Sequence, residues 1–182
     1  MNKISLISDE KVILDATLYT ASKSEQLASA RKKGRLIFAL IIILLGVLFV
    51  AVDKRIALLS IGVGAVAFFI LPRYLSIYYK RYFTKLVKSD ENQKRQGQSF
   101  DIYFNDTFIE IKTALLETKY SFENFEYIAE TSENIFIKLK LGEFLTFPKS
   151  QLQDVDEIRN YFRRICDTRK IDYKEELDWQ WK

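Results

Sequence analysis

Along the chain the hydrophobic rhythm changes twice. From Leu36 to Leu71 apolar residues run almost without a break, "LIFALIIILLGVLFVAV" and then "IALLSIGVGAVAFFIL", parted only by Asp53, Lys54 and Arg55. From Leu75 to Leu86 they recur every three to four residues, at Leu75, Tyr78, Tyr82 and Leu86. From Ser99 onward they alternate with polar residues, and near the C-terminus Val155, Ile158, Phe162 and Ile165 return to helical spacing. These rhythms predict, in order, two wholly apolar helices, an amphipathic helical stem, a set of short strands and a last amphipathic helix.

Neither half of the long run has a polar face, as a helix at a protein–water boundary would require. Each half is near the lower length limit of a membrane span. One continuous helix would be about 54 Å long against a hydrocarbon core of about 30 Å. It would also hold three charges at mid-membrane, each costing about 2.5–3.5 kcal/mol. Both objections disappear if the triplet is a turn in water or headgroups. The reading is therefore a transmembrane helical hairpin over 36–71, with spans 36–52 and 56–71. More than 30 largely polar residues precede it, which argues against a signal peptide.

Arg31, Lys32, Lys33 and Arg35 precede the hairpin, and Arg73, Lys80, Arg81, Lys85 and Lys88 follow it. The turn offers Lys54 and Arg55, offset by Asp53. The positive-inside rule then places both termini in the cytoplasm. The basic flanks set topology and could also serve an anionic-lipid site. Tyr74, Tyr78, Tyr79 and Tyr82 have the position of an interfacial aromatic girdle. Ala57, Ser60, Gly64 and Ala67 put small residues on one face, suited to close approach of another helix. That helix is either the first span, through Gly46, or a second copy in a homodimer through the Ser60/Gly64 face.

Residues 1–35 form an N-terminal cytoplasmic segment, in which Lys3–Ile7 reads as a short strand and Ser8 or Asp9 as a helix cap. The basic juxtamembrane helix covers 72–97, running to about Lys94, with polar "KSDENQKRQGQ" and Gly97 as the handover. Strands follow at Phe100–Phe104, Ile109–Ile111, Lys119–Phe122, Phe125–Glu130, Ile135–Leu141 and Glu143–Phe147, joined by turns at Asn105-Asp106, Ser132-Glu133-Asn134 and Leu141-Gly142. Links that short make antiparallel neighbours. A helix over about Gln153–Thr168 follows. The fold class is thus an α+β membrane protein: a transmembrane helical hairpin plus a cytoplasmic antiparallel sheet or partly open barrel capped by a C-terminal helix, the plan of a pleckstrin-homology-like domain over 98–170. Residues 171–182 make an acidic tail carrying Trp179 and Trp181, aromatics suited to docking on this domain, on the bilayer interface or on a partner.

Two adjacent apolar helices, a basic helix, and then "FDIYFNDTFIEIK", "YSFENFEYIAETSENIFIKL", "EFLTFPKSQL" and "DEIRNYFRRI" resemble the YcxB-like family of bacterial membrane proteins, over about residues 35–166. Phe147-Pro148-Lys149 followed by a terminal helix is the most recognisable part. The resemblance implies a pleckstrin-homology-like C-terminal domain and a place in a bacterial inner membrane, and says little of activity.

Charge and chemistry narrow the function. Residues 1–96 carry 16 Lys/Arg against 7 Asp/Glu, and residues 97–182 carry 12 against 17. An acidic second half argues against nucleic acid as a partner. The chain has no histidine and one cysteine, Cys166. The usual triads and most zinc sites are therefore excluded, as is an internal disulfide. Cys166 borders the apolar stripe and reads as packing. Glu123, Glu126 and Glu130 read as solvated surface, and Arg159, Arg163 and Arg164 as surface charges neutralised by nearby acids. No glycine-rich phosphate loop exists. No catalytic, cofactor-binding or metal residue is assigned. The expected function is a non-enzymatic, membrane-anchored binding or regulatory module with the lipid bilayer and a protein or peptide as partners. The alternative is an immunity protein against a toxin acting at the inner membrane.

Overall fold

In the computed structural model, residues 3–50, 53–89 and 96–181 are described. The chain divides into two compact units. One comprises residues 18–85 with the last two residues, and the other comprises 1–17 and 86–180.

The first unit is helical. The end of α1 (Glu10–Ser22) leads into α2 (Glu25–Val50) and α3 (Lys54–Val87). Asp53 caps α3, its Oδ1 accepting the Arg55 N–H at 2.7 Å. The charged triplet thus stands where one helix begins after another. Residues 51 and 52, the last of the first predicted span, lie outside the described residues, as do 90–95 of the predicted stem. Helix α3 continues through Pro72 to Val87, so second span and stem are one helix. The small-residue face is turned toward α2. Ala57 and Gly64 are buried, and a Cβ at Gly64 would come within 2.1 Å of the Ile42 side chain. A Cβ at Gly46 would meet Ile61 at 3.3 Å. Elsewhere both helices expose apolar side chains, Leu40, Leu44, Leu48, Leu58, Val63 and Phe69 among them.

The second unit holds two four-stranded sheets and a helix. The first sheet runs β1–β2–β3–β4, all antiparallel: β1 (Lys3–Ile7), β2 (Ser99–Phe104), β3 (Phe108–Lys112) and β4 (Glu117–Ser121). Ile4 pairs with Ile102, Ile102 with Ile111, and Ile109 with Tyr120. The N-terminal segment therefore supplies an edge strand whose Leu6 is fully buried. The Gln151 side chain brackets the end of that strand. Its Oε1 accepts the Ile7 N–H at 2.7 Å and its Nε2 donates to the Ile7 carbonyl at 3.0 Å.

The second sheet contains β5 (Phe125–Glu130), β6 (Asn134–Leu139), β7 (Phe144–Pro148) and β8 (Asp172–Glu175), in the order β7–β6–β5–β8. Pairs β5–β6 and β6–β7 are antiparallel. Strand β8, which lies in the segment read as an acidic tail, pairs parallel with β5, so the sheet is mixed. Between β7 and β8 the chain forms α4 (Val155–Arg169). The helix connects the two edges of a sheet whose strands lie about 4.8 Å apart, so its chain path must cross two intervening strands. Asp154 caps it at the start, accepting the Glu157 N–H at 2.9 Å. At its end Lys170 takes the left-handed conformation, φ 56°, and the Ile171 N–H returns to the Cys166 carbonyl at 3.0 Å. No glycine is available there, and lysine adopts this strained region to close the helix.

The core lies between the sheets and α4. Ile102, Ile109, Ile128, Ile135, Ile137, Phe147, Ile158 and Phe162 are at most 1% exposed. The Phe162 ring meets Phe147 edge-on at 5.2 Å, and Phe104 meets Tyr161 edge-on at 5.0 Å. The α+β arrangement of antiparallel strands and a helix that the sequence pattern predicts is present, but the strands form two sheets and β8 follows the helix in parallel with β5.

Phe162→Ala is expected to cost about 3–5 kcal/mol, a large share of a domain's stability of about 5–15 kcal/mol. Arg164→Ala, exposed two residues on, is expected to change stability by about 0.5 kcal/mol or less. Thermal melting of the whole chain in mild detergent checks this pair. A fragment starting at Gly97 would lack β1.

Candidate functional site: a buried carboxylate beneath the last helix

The most concentrated chemistry among the described residues is built on Glu130, the last residue of β5. It is 2% exposed, which corrects the expectation of a solvated glutamate. Glu123 and Glu126 are exposed, as expected. Glu123 lies in the 3-10 turn before β5, and Glu126 is parted from Glu130 by a register shift in β5 between Phe125 and Tyr127. An irregularity of this kind breaks the simple alternation of faces. Phe125 and Ile128 both end up buried, Glu126 faces out, and Glu130 falls on the inner side with Ile128.

Three elements distant in sequence converge on its two oxygens. From α4, the Arg159 Nε lies 3.0 Å from Oε1 and 2.9 Å from Oε2, and Nη2 donates to Oε1 at 2.7 Å. From the 3-10 turn after Pro148, the Lys149 Nζ stands 2.6 Å from Oε1 and also donates to the Thr131 carbonyl at 2.7 Å. From β8, the Tyr173 hydroxyl donates to Oε2 at 2.6 Å. Arg159 additionally pairs with Asp156. Two carboxylates and two cations thus form a neutral group. Such a cluster is tolerable beneath a helix because every charge has a partner and the lone pairs are occupied.

Burial is the largest influence on the Glu130 carboxyl and pushes its pKa up. The hydrogen bonds from Arg159, Lys149 and Tyr173 together outweigh it and hold the group at about 2. The same partnership raises Arg159, and burial reinforced by Glu130 raises Tyr173. A carboxylate so saturated is not available as a general base or as a metal ligand. Its role is to join β5, the turn after β7, α4 and β8.

The other candidates are dispersed. Cys166 is buried, and burial pushes its thiol up to about 11, in keeping with a packing residue. Arg163 pairs with Glu175 and stacks over the Tyr173 ring at 5.2 Å. Arg159 and Arg163 are therefore neutralised as expected, although the partner of Arg159 is a buried acid. Arg164 has a different setting. With Arg169, Asp106, Asn105 and Tyr161 it lines an open cleft of about 210 Å³. There the Tyr161 hydroxyl donates to the Asn105 carbonyl at 2.9 Å. A second cleft of about 240 Å³ lies among Asp9, Lys11, Asp15, Glu133 and Lys149. Trp181 lies in the helical unit, its Nε1 donating to the Ser76 carbonyl at 2.9 Å. Among the described residues no group of three His, Cys, Asp or Glu side chains is arranged to hold a metal.

Residues 104–162 match the model of the family described as YcxB-like protein. This segment is similar to that family. The YcxB-like segment runs from the end of β2 into α4 and contains Glu130, Lys149 and Arg159, while Tyr173 lies beyond it. Lys149 is the lysine of the Phe-Pro-Lys motif, so the most recognisable piece of sequence supplies one partner of the buried carboxylate. No curated protein and no solved structure matches the chain.

Glu130→Gln removes the anion held by Lys149 and leaves Arg159 with Asp156 alone, and is expected to cost about 3 kcal/mol at neutral pH. The pH dependence has a definite sign. The folded pKa, about 2, lies below the ordinary value of 4.5. The contribution is therefore full above pH 4.5 and is lost as pH falls toward 2. The melting difference between the native chain and Glu130→Gln should narrow across that window, as followed by circular dichroism.

Proposed function

We propose that the chain is a membrane-anchored, non-enzymatic binding or regulatory module that presents a pleckstrin-homology-like domain at the cytoplasmic face of a bacterial inner membrane. The observation that carries the anchor is α3. It is 34 residues long, long and apolar enough to cross a membrane, and its apolar stretch is mostly exposed. Apolar surface of that extent is costly in water and is satisfied by lipid. Helix α2 exposes a comparable row from Leu36 to Val50. With Asp53 at the turn and Gly64 against Ile42, the two helices have the features of a transmembrane hairpin. The basic residues before α2's apolar part and after Leu71 favour cytoplasmic termini.

Support for binding comes from the second unit. Its sheets leave edges at β4 and β7, which can accept an added strand from a peptide. Its hairpin tips carry Leu115, Leu116 and Leu141, at 88%, 71% and 92% exposure. A strand edge with apolar side chains nearby suits a protein or peptide partner. A toxin would be one such partner, and the immunity reading shares this architecture. A homodimer would have to use helix surface other than the Gly64 contact with Ile42.

Reporter fusions after Lys33 and after Lys182 should both read cytoplasmic, and a cysteine at position 53 should react with an impermeant reagent from outside. Ends on opposite sides would overturn the hairpin. Capture of the whole chain from mild detergent tests the binding role. A stoichiometric protein partner supports it, and an isolated monomer at native expression argues against it.

A further inference from the structure

Helix α3 contains no acidic residue between Lys54 and Val87, yet beyond Pro72 it carries Arg73, Lys80, Arg81 and Lys85, all exposed. At 100° per residue these four occupy about 140° of the helix circumference. Among the described residues none of them makes an ion pair or other recorded side-chain interaction. This sets them apart from Arg159, Arg163 and Lys149, each of which has an acid beside it. Tyr74, Tyr78 and Tyr82, at steps of four, make a row along one border of the arc, 62%, 55% and 53% exposed.

The start of α2 adds to the same end of the helical unit. The Arg35 guanidinium lies over the Phe68 ring at 5.5 Å. Arg31 lies over the Trp181 ring at 5.3 Å, while that indole bonds to Ser76 and meets Phe83 edge-on at 6.0 Å. These contacts set the first turns of α2 beside α3 between Phe68 and Phe83. Lys32 and Lys33, also exposed, are thereby carried to the level of the α3 cations. The other end of the helix pair has Lys54 and Arg55 with Asp53 next to them.

We infer that this end of the helix pair is a binding surface for anionic phospholipid headgroups. The reasoning rests on the membrane reading above. A cation cluster directly beyond an apolar helix lies at headgroup depth, where unpaired Lys and Arg gain from phosphate diesters. Tyrosines at the border have an apolar ring for the acyl region and a hydroxyl for the headgroup, which fixes the depth of the cations. A topology signal needs only a charge excess in the loops. An arc of four cations edged by a tyrosine row also provides a defined face on which a lipid can reside.

The test uses the full chain reconstituted into phosphatidylcholine vesicles containing trace spin-labelled phosphatidylglycerol or spin-labelled phosphatidylcholine. Electron paramagnetic resonance reads the fraction of each lipid held motionally restricted at the protein surface. The expected result is a preference for phosphatidylglycerol of at least about threefold at low salt, falling in high salt. It should be lost when Arg73, Lys80, Arg81 and Lys85 are all changed to Gln, and kept when Lys54 and Arg55 are changed to Gln. The vesicles are symmetric, so the direction of insertion does not affect the readout. Restricted lipid without a phosphatidylglycerol preference would overturn the headgroup site and leave the anchor standing. A preference surviving the fourfold change would overturn the assignment to this arc. A chain that yields no restricted lipid of either kind would overturn the anchor itself, and the site with it.

Discussion

Three separate elements that follow Glu130 in the second unit converge on that one buried carboxylate. The Lys149 turn that ends β7, the Arg159 face of α4 and the Tyr173 position of β8 all meet on its two oxygens. A buried ion group is not in itself a strong source of stability, because desolvation offsets most of the attraction. Its value lies in discrimination. Helix α4 could slide or rotate on a core of isoleucines and phenylalanines at small cost. It cannot do so without separating Arg159 from Glu130. The carboxylate therefore fixes the register of α4, and α4 delivers Phe162 and Ile158 to the core. The same constraint gives the short, polar β8 a reason to pair with β5.

The first unit obeys a different constraint. Its helices carry most of the exposed large apolar side chains among the described residues, and Arg73, Lys80, Arg81 and Lys85 of α3 have no acidic side chain on their own helix. Each feature is unfavourable or wasteful in water; in the proposed membrane setting the apolar surface would meet acyl chains and the cations would meet headgroups. The two units thus divide the work by solvent. The second unit pairs its buried charges internally, whereas the first exposes both apolar surface and cations.

How much of this could be read from the residues depended on the range of the interaction. The uniform run from Leu36 to Leu71, the alternation from Phe100 to Ile111 and the Val155–Ile165 stripe are local periodicities, and the corresponding elements form where they predict. The pairing of β1 with β2 bridges about a hundred residues and leaves no local trace beyond the alternation of Lys3–Ile7. Strand β8, "DYKE", has no apolar rhythm, because its place is set by Tyr173 reaching Glu130 and by β5 beside it. Glu130 resembled Glu123 and Glu126, but Glu123 falls in a 3-10 turn and the register shift near Phe125 sets Glu126 apart. One signal was available. Arg159 directly follows the stripe residue Ile158, where a cation at the margin of a buried face calls for a buried anion.

The claim that the Glu130 cluster organises the domain is tested most directly by watching that carboxyl titrate. Carbon-13 nuclear magnetic resonance of side-chain-labelled glutamate, assigned with Glu130→Gln, follows it in the intact chain in detergent micelles. The account predicts that the Glu130 resonance stays at its ionised shift from neutral pH down to about pH 3, moving only near 2 or with unfolding. A carboxyl that titrates near the ordinary value of about 4.3 would mean that Arg159, Lys149 and Tyr173 do not hold it, and would contradict the account.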